Sequence, residues 1–315
     1  MGDSTPLKRA LLTPFVRWYA RSQLPRFGHL LEWYGVNDQS RWLEAPVVEV
    51  RGRRGDERHR LDLSDSYHRL AYFMGCYHEL DVLSTVGALL RPGDEFVDGG
   101  ANIGLLTLYA ARIIDDGVIH AYEPNPEVFE QLRWHMESNG IANVKLHRAG
   151  LSDADATGRI RIPVMHNTGA GTIGPLPTCY GYEVRDLGEV ATVRIDDQID
   201  QNDPRPLTIK LDIEGYEMRA LHGMRRTIER RRPALLLELN VEMLTLNETS
   251  ADEVCSWIGA LGYRRYDLDR RGRRGRRALW LHPSTSTDGY VFKDDVLWVH
   301  PDSPHHNRIQ SHVLR

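Results

Sequence analysis

Three charged side chains alternate along one short stretch of the chain, at Lys210, Asp212 and Glu214. The apolar residues around Lys210 predict a buried strand, and side chains at every second position of a strand project from the same face. A fourth charged residue, Glu238, stands near the end of the next apolar run, at residues 234–239. Parallel strands of a doubly wound sheet place their carboxyl ends at one edge. We therefore expect one ammonium group and three carboxylates to gather there.

These residue types suit the transfer of a group to a hydroxyl. An alcohol is a poor nucleophile until its proton is removed, and a well-placed carboxylate or lysine contributes roughly 10²–10⁴-fold as a general base. We predict Asp212, Glu214, Lys210 and Glu238 as catalytic residues. The alternative for Lys210 is that it pairs with Asp212 and fixes the loop.

A divalent metal is a second interpretation of the same carboxylates. Magnesium is commonly bound through one or two carboxylates together with water and substrate oxygens. Asp212, Glu214 and Glu238 would then be its ligands, and Asn240 could complete the site or bond the substrate. We favour a reaction without a metal and predict no metal site.

A second stretch predicts where a nucleotide-like ligand binds. Phe96 and Val97 lead to Asp98, and a glycine-rich turn and a helical pattern of apolar residues follow. A strand, a glycine turn and a helix let the backbone approach a ligand, because glycine has no Cβ. About 20 residues further on, Glu123 ends another apolar run, where a Rossmann-like unit holds a ribose diol.

The turn favours S-adenosylmethionine over a dinucleotide. Asp98 precedes the glycines, and Asn102 stands where a phosphate-binding loop needs glycine. An acidic side chain repels a pyrophosphate but attracts the ammonium and sulfonium groups of S-adenosylmethionine. We expect this cofactor, with S-adenosylhomocysteine as product. The predicted cofactor-binding residues are Glu79, Asp98, Gly99, Gly100, Ala101, Asn102, Gly104, Glu123, Pro124, Ser152, Asp153 and Asp212.

Three of these cofactor residues stand apart from the two strand ends just described. Ser152 and Asp153 follow the predicted third strand, residues 144–149, whose carboxyl end faces the adenine in this architecture. They are candidates to bond the exocyclic amine, and a plain turn is the alternative. Glu79, with Tyr77, stands upstream of the glycine turn and is a candidate to close over the methionine end. The alternative is a core tyrosine and a surface glutamate.

The order of the apolar patterns predicts an α/β fold with a doubly wound, mostly parallel sheet of seven strands. Residues 67–90 predict one helix before the first strand of this sheet. The pattern of strand and helix weakens over residues 157–192, with short alternating runs at residues 158–163, and the glycine-rich segment at residues 167–178 indicates a lid or substrate loop. Strand patterns in succession at residues 263–268, 278–281 and 296–299 predict an antiparallel C-terminal edge.

The chain is predicted to have three parts. Residues 1–66 form an N-terminal extension, with an amphipathic helix at residues 6–21 and a hairpin with a charged tip. We expect it to contact substrate or to form a homodimer, and its basic and aromatic helix could instead touch a membrane surface. Residues 67–300 form the main domain, and residues 301–315 form a polar tail that we expect to be mobile.

The composition indicates a globular protein of one large domain with an appendage. The chain has 315 residues, 41% hydrophobic and 27% charged, and its net charge of −4 creates no general attraction to nucleic acid. Cys76, Cys179 and Cys255 are far apart and odd in number, which argues against a disulfide framework. No secretory leader or membrane-spanning run is evident, so we predict a cytoplasmic protein.

These motifs resemble those of the FkbM family of S-adenosylmethionine-dependent methyltransferases. The matching segments are FVDGGANIG at 96–104, AYEPNPEVFEQL at 121–132, LSD at 151–153, IKLDIEGYEMRALHGM at 209–224 and PALLLELN at 233–240. The resemblance covers roughly residues 70–245 and implies a class I methyltransferase fold and O-methylation of a sugar, glycan or secondary metabolite. It assigns residues 98–104 and Glu123 to the cofactor and residues 212–214 to the reaction. Gly99 departs from the family, which usually has valine or isoleucine there.

Two other functions stay open at this point. The basic runs at residues 225–233 and 270–277 could contact phosphates, as in an RNA-directed methyltransferase. Base N-methylation, however, usually needs an Asn/Asp-Pro-Pro-aromatic element where this chain has Asp-Ile-Glu-Gly. The chain could also be a catalytically silent partner protein that binds the cofactor, although the presence of Asp212 and Glu214 argues against this. We expect a small-molecule or glycan acceptor and no nucleic acid.

Overall fold

The computed structural model describes the residues 6–164, 167–176, 183–271, 278–284 and 295–314. The described part of the chain divides into two compact units after Glu79, and residues 167–169 group with the first unit. This division lies further along the chain than the boundary that we predict after residue 66.

The first unit consists of helices and one β-hairpin. Its elements are α1 (Pro6–Arg21), α2 (Phe27–Tyr34), a 3₁₀ segment (Gln39–Arg41), β1 (Val47–Arg51), β2 (Arg58–Asp62) and α3 (Ser66–Met74). β1 and β2 pair in antiparallel register. The predicted amphipathic helix and the predicted hairpin are therefore both confirmed.

A buried arginine, Arg69 of α3, connects the parts of the first unit. Its guanidinium group donates hydrogen bonds to the carbonyl oxygens of Val36 (2.6 Å) and Leu63 (2.9 Å). It also donates to Oε1 of Gln39 at 2.9 Å. Burying a charged group is costly unless its donors are satisfied, so these bonds fix the loop after α2 and the end of β2 against α3.

The prediction of a single helix over residues 67–90 is wrong, because two helices occupy this stretch. α3 ends at Met74 and is capped by Gly75, and α4 (Leu80–Leu89) begins the second unit. Gly75 has a φ of +70°, the left-handed conformation that commonly ends a helix and that other residues adopt at a cost. Helix-like apolar spacing continues past Gly75 and conceals the break in the sequence.

The second unit alternates strands and helices over most of its length. Its elements are α4, β3 (Glu95–Gly99), α5 (Leu105–Ile114), β4 (Val118–Tyr122), α6 (Pro126–Ser138), β5 (Val144–His147), β6 (Ala149–Leu151), β7 (Ala156–Pro163), β8 (Val184–Val193), α7 (Ile195–Gln198), β9 (Leu207–Leu211), α8 (Glu217–His222), α9 (Arg225–Arg231), β10 (Ala234–Glu238), α10 (Val241–Leu246), α11 (Ala251–Ala260), β11 (Arg264–Arg271), β12 (Ala278–Ser284), β13 (Asp295–Val299) and α12 (Pro304–Ile309). A 3₁₀ segment lies at Thr168–Ala170.

The central sheet has the strand order β12-β11-β13-β10-β9-β3-β4-β5 among the described residues. The strands from β10 to β5 pair in parallel, whereas β13 pairs antiparallel with both β10 and β11. The predicted α/β fold with a mostly parallel sheet and an antiparallel C-terminal edge is confirmed. The sheet has eight described strands where seven are predicted, and β12 forms its edge, paired antiparallel with β11.

Much of the stretch at residues 157–192, over which the pattern of the sequence weakens, is strand. β7 and β8 pair antiparallel, and β6 joins β8 in parallel to complete a three-stranded sheet. Ile160, Ile162 and Val190 are buried, so alternating apolar positions stabilise this pairing. The last two residues of the predicted glycine-rich loop, 177–178, lie outside the described residues.

The strands β9 and β10 lie in the apolar core. β9 is buried along its whole length, and β10 is buried up to the residue before Glu238. Such continuous burial is typical of parallel strands covered on both faces. The partly exposed carboxylates lie where this burial ends, at Asp212 directly after β9 and at Glu238, the last residue of β10.

The end of the chain differs from the mobile polar tail that we predict over residues 301–315. Helix α12 buries His305 and Ile309, which are one turn apart. Arg308 of the same helix donates to Oδ1 of Asp94 at 3.0 Å, and Asp94 precedes β3. The polar composition of this segment conceals the two buried positions. Within the described ranges, every helix is too short or too polar to cross a bilayer.

Candidate functional site

The carboxyl ends of β9 and β10 bring three carboxylates together. Oxygen atoms of Asp212, Glu214 and Glu238 lie within 4.8 Å of one another, and each of the three residues is partly exposed. The parallel register of the two strands accounts for this, because Lys210 of β9 lies beside Leu236 of β10. These are the three carboxylates among the four residues that we predict as catalytic, and we call them the carboxylate cluster.

A fourth carboxyl group near this cluster is missing from the sequence prediction. Asp295 begins β13, and the antiparallel pairing with β10 places it opposite Glu238. The sequence does show that a strand begins near Asp295. It does not show that this strand lies next to β10, because β11 and β12 come between them along the chain.

The pKa of Glu238 is raised well above its ordinary value. The main cause is the negative charge of Asp212, and burial adds to it. A hydrogen bond between the two carboxyl groups and the charges of Glu214 and Asp295 act in the same direction. The cluster therefore retains a proton at pH values where an isolated glutamate would have lost it.

Lys210 connects the carboxylate cluster to the glycine turn. Its side chain is 4% exposed, and its Nζ donates to Oδ2 of Asp212 at 2.9 Å and to the carbonyl oxygen of Gly100 at 3.3 Å. The same Nζ lies 4.0 Å from Oδ1 of Asp98. This is the geometry of the alternative in which Lys210 pairs with Asp212 and fixes the loop. A catalytic role for Lys210 stays a prediction.

The turn after β3 needs glycine at two positions. Gly100 has a φ of +75°, and a Cβ there would lie 1.8 Å from the carbonyl oxygen of Asp212. Gly104 has a φ of +85° at the start of α5, and a Cβ there would lie 2.4 Å from Leu132. The backbone of the turn therefore approaches the loop after β9 more closely than any side chain would allow.

Gly99 fills a tightly packed position in β3. A Cβ at this residue would lie 2.8 Å from Leu151 and 2.9 Å from Leu211. The leucines on both sides occupy the space that a valine or isoleucine would need. The departure from the family at this position is therefore a change in packing.

Glu123 ties the loop after β4 to the glycine turn. Its Oε2 accepts a hydrogen bond from the backbone N–H of Asn102 (3.0 Å), and its Oε1 accepts one from the N–H of Asn125 (2.9 Å). Burial raises the pKa of Glu123 to about 7. Pro124 follows directly, and the N–H of Ala101 is held by the carbonyl oxygen of Tyr122 at 2.9 Å. Binding of a ribose diol by Glu123 stays a prediction.

Asp98 lies beneath the turn with no exposed surface. Its Oδ2 accepts a hydrogen bond from the hydroxyl of Thr107 at 2.6 Å, which links the end of β3 to α5. Burial raises the pKa of Asp98, and the positive charge of Lys210 opposes this effect. Its contacts hold Lys210 and α5 in place, and a direct contact with the donor stays a prediction.

The other predicted cofactor residues have partners elsewhere. The hydroxyl of Ser152 donates to Asp153 at 3.0 Å, and Asp153 lies 3.5 Å from Arg219 of α8. The predicted third strand divides just before them into β5 and β6, and β6 belongs to the smaller sheet. Glu79 belongs to the first unit, where the hydroxyl of Tyr77 donates to it. The roles of Ser152, Asp153 and Glu79 at the cofactor stay predictions.

Glu217 fixes the loop that carries Glu214, and sequence reasoning missed it. It is 1% exposed, and its Oε1 accepts hydrogen bonds from the N–H groups of Ile213 (3.1 Å) and Gly215 (3.3 Å). Burial raises its pKa to about 7. Glu214 itself has a φ of +54°, a conformation that needs such support. In the sequence, Glu217 looks like an ordinary first-turn residue of a helix.

The arrangement supports two kinds of chemistry. A carboxylate of the cluster can accept a proton from a hydroxyl placed beside it. The oxygens of Asp212, Glu214 and Glu238 can also bind a divalent cation, because magnesium takes oxygen ligands. The side chain of Asn240 accepts a hydrogen bond from the N–H of Met243 and caps α10, and its role at a metal or at the substrate stays a prediction.

Sequence comparison decides which family contains this site. A family model described as the Methyltransferase FkbM domain matches residues 98–265, which is more than half of the chain. The chain belongs to the FkbM methyltransferase family. The matched range includes the glycine turn, Glu123 and the carboxylate cluster. The resemblance inferred from the sequence motifs is thus confirmed.

Curated FkbM relatives match parts of the chain. The 31-O-demethyl-FK506 methyltransferase FkbM of Streptomyces tacrolimicus is 28% identical over 162 residues, 44% of this chain and 62% of the relative. The hexuronic acid methyltransferase AglP of Haloferax volcanii is 26% identical over 156 residues, 48% of this chain and 58% of the relative. Methyltransferase 1 of Beauveria bassiana is 40% identical over 67 residues, 21% of this chain and 27% of the relative. The chain thus spans less than two thirds of the length of each relative.

A solved structure of an FkbM protein is also similar to this chain. The crystal structure of Methyltransferase FkbM from Methylobacillus flagellatus has 18% sequence identity and a TM-score of 0.38. The match covers 74% of this chain and 52% of that chain. The family assignment rests on the sequence match and the fold on the observed strand order.

Proposed function

We propose that this FkbM protein is an S-adenosylmethionine-dependent O-methyltransferase that methylates a hydroxyl of a sugar, glycan or natural product. One observation carries the proposal. The partly exposed carboxylate cluster lies at the sheet edge where Lys210 contacts both Asp212 and the glycine turn. A group that removes a proton is therefore next to the loop that the family uses for its methyl donor.

The residues of the turn fit S-adenosylmethionine. A Cβ at Gly100 would meet backbone, so the turn is closed on one side and its conformation is fixed. Glu123 is held by two backbone N–H groups, and its remaining lone pairs can accept hydrogen bonds from ribose hydroxyls. When bound, the cofactor supplies an electrophilic methyl group.

The carboxylate cluster activates and positions the acceptor. A carboxylate of the cluster accepts the proton of the acceptor hydroxyl, and Asp212 is the residue that we propose for this role. The hydrogen bond from Lys210 holds Asp212 in one orientation, and the bonds from Glu217 hold the loop that carries Glu214. Such fixed geometry contributes several kcal/mol because the reacting groups need not be brought together from solution.

The names of two relatives support an oxygen acceptor. One relative is named for a 31-O-demethyl form of FK506, and the other is named for hexuronic acid. A hydroxyl acceptor also agrees with the cluster, because an alcohol needs a base whereas a more acidic nucleophile does not.

The arginine run at residues 225–233 is engaged within the fold, which argues against an RNA substrate. Arg225 lies 2.8 Å from Glu229, and Arg226 lies 2.8 Å from Asp197. Arg231 makes a buried pair of 2.6 Å with Glu95. These contacts neutralise charges that would otherwise meet phosphates. Most of the second basic run, residues 272–277, lies outside the described part of the chain.

The test is an assay with S-adenosylmethionine carrying a labelled methyl group. Uronic acids, oligosaccharides, hydroxylated natural products and RNA are incubated separately with the protein, and mass spectrometry identifies the methylated atom. We expect label on a hydroxyl oxygen. Label on a nucleobase nitrogen would contradict the proposal. So would donor binding with no transfer to any acceptor, which is the behaviour of a silent partner protein.

A chelator separates the two chemistries of the carboxylate cluster. If the reaction needs no metal, methyl transfer continues at the same rate in the presence of EDTA. If transfer is lost with EDTA and returns with magnesium, the cluster binds a metal and proton removal by Asp212 alone is wrong.

A further inference from the structure

The first helix of the chain has two apolar faces. Val16 and Ala20 on one face are completely buried within the first unit. Leu11, Phe15 and Trp18 are 75%, 52% and 58% exposed. Their spacing of four and three residues aligns them along one stripe of α1, on the opposite side from Val16 and Ala20. We call Leu11, Phe15 and Trp18 the apolar stripe.

The sequence segment that contains the apolar stripe carries only positive charges. Residues 6–31 contain five basic residues and no aspartate or glutamate, although the whole chain has a net charge of −4. The five basic residues are Lys8, Arg9, Arg17, Arg21 and Arg26.

Three arginines lie around a cavity beside the stripe. Arg17, Arg21 and Arg53 line a cavity of about 910 Å³ together with Trp18, and no carboxylate is among the described lining residues. Arg17 lies over the ring of Tyr72 at 3.9 Å, which fixes its orientation without neutralising its charge. The cavity can therefore accept an anionic group directly next to an exposed indole.

We propose that α1 binds a membrane surface that contains anionic lipids. The apolar stripe would enter the boundary between headgroups and acyl chains, and the arginines would contact lipid phosphates. An amphipathic helix with tryptophan, phenylalanine and leucine on one face and basic residues beside them is typical of this mode of binding. The helix lies in the plane of the surface and does not cross the bilayer.

The charges favour a lipid surface over a second copy of the chain. A two-fold dimer brings the same patch of both subunits together. Through α1, such a dimer would place two sets of basic residues face to face with no acidic residue of this segment between them. An anionic bilayer offers both an apolar layer and negative charge, which matches the two properties of α1.

The experiment is co-sedimentation of the full chain with vesicles. One set of vesicles contains phosphatidylcholine alone, and the other contains phosphatidylcholine with phosphatidylglycerol. We expect binding to the anionic vesicles, weaker binding at high salt, and little binding to phosphatidylcholine alone. Equal binding to both sets of vesicles would contradict a role for the arginines.

Matched variants separate the contributions of the stripe and of the charges. Phe15→Ser with Trp18→Ser is expected to weaken binding at least tenfold, roughly, because two large side chains no longer enter the bilayer. Val241→Ser, which changes an exposed apolar residue elsewhere, should have no effect. Arg17→Gln with Arg21→Gln should weaken binding about fivefold for each arginine, whereas Arg225→Gln with Arg230→Gln should not.

Two results would overturn the proposal. One is unchanged vesicle binding in both α1 variants while circular dichroism and thermal unfolding show intact folding. The other is a dimer in sedimentation velocity that Phe15→Ser with Trp18→Ser dissociates, together with no vesicle binding by the wild-type protein. In that case the stripe is an interface between two copies of the chain.

Discussion

At the residue scale, the candidate site depends on one buried lysine. Lys210 contacts Asp212 and the backbone of Gly100 and faces Asp98. Removing it leaves two neighbouring carboxylates without their shared positive charge. Because the charge of Lys210 is desolvated, its loss affects both the stability of the fold and the conformation of the glycine turn.

The variant Lys210→Met tests this role. We expect a loss of about 3 kcal/mol in the free energy of unfolding, since one partner of a buried ion pair is missing. Donor affinity should decrease as well, because the turn is no longer held. Chemical denaturation and calorimetry measure the two effects. Lys145→Met, at an exposed lysine of β5, is the control, and equal stability of the two variants would contradict the role of Lys210.

The raised pKa of Glu123 predicts how donor binding depends on pH. Burial raises its pKa to about 7, and the ionised form is the one that accepts hydrogen bonds from ribose hydroxyls. Donor affinity should therefore decrease as the pH falls through 7. Calorimetry on both sides of this value measures the effect. Glu123→Gln cannot ionise, so its weaker binding should vary less with pH. An unchanged pH profile in this variant would remove Glu123 from the cofactor site.

The contribution of Glu123 to the stability of the fold depends on pH in the opposite direction from its contribution to donor affinity. Its pKa is raised from an ordinary value of 4.5, so between 4.5 and about 7 the folded state holds a proton that the unfolded state has lost. This contribution is fully present below the lower value and disappears as the pH rises through the upper one. Glu217 behaves in the same way, because burial raises its pKa to about 7 as well.

The sequence predicts those site residues that follow from strand periodicity. Lys210, Asp212 and Glu238 stand at or beside the ends of apolar runs, so their meeting at one edge follows from parallel pairing. Asp295 could not be predicted, because its position depends on the insertion of β13 beside β10. Glu217 could not be predicted either, because its role depends on hydrogen bonds within its own loop.

At the scale of elements, the glycine turn brings β3 and the loop after β9 into contact. The closest approach is at Gly100, whose missing Cβ leaves room for the carbonyl oxygen of Asp212. The turn therefore packs against the loop after β9 in addition to its proposed role in ligand binding. A side chain at Gly100 would disturb both the packing and the binding.

The variant Gly100→Ala tests this contact. A methyl group 1.8 Å from a backbone oxygen forces the two elements apart, so we expect donor binding to be lost and the thermal midpoint to fall. Gly140→Ala is the matched control. Gly140 also has a positive φ, of +66°, but no atom lies within 4 Å of its Cβ position. Gly140→Ala should therefore reduce the free energy of unfolding only by the backbone strain, about 1 kcal/mol. Similar effects of the two variants would show that the contact is unimportant.

The sequence predicts the boundaries of helices and strands where the composition changes. It does not predict a boundary that depends on the backbone conformation of one residue. The prediction gives α1, the hairpin and the parallel strands, since their apolar periods are regular. The break between α3 and α4 depends on the left-handed conformation of Gly75, which apolar spacing does not report. The pairing of β7 with β8 spans a long connection, so local patterns do not show it.

At the scale of the whole chain, the C-terminal segment completes the second unit. α12 buries His305 against Thr208, with Nε2 and Oγ1 3.0 Å apart, and Arg308 pairs with Asp94 before β3. The chain thus returns to the amino-terminal end of the central sheet. A polar composition alone suggests a mobile tail, because the two residues that anchor the helix are a histidine and an arginine.

The variant Arg308→Ala tests the contribution of this segment. Breaking a largely buried pair leaves Asp94 without its partner, and we expect a loss of about 3 kcal/mol in the free energy of unfolding. Asn307→Ala, at an exposed position of the same helix, should change little. Denaturation monitored by circular dichroism compares them. A mobile tail would make both variants equal to the wild-type protein.

The central claim is that a carboxylate of the cluster prepares an acceptor hydroxyl for methylation, and Asp212→Asn tests it most directly. Asparagine can still accept the hydrogen bond from Lys210 but cannot take a proton. We predict wild-type affinity for S-adenosylmethionine in calorimetry and a loss of methyl transfer of about 100-fold or more. Asp186→Asn, at an exposed residue, should keep full activity. Wild-type methyl transfer by Asp212→Asn would contradict the account.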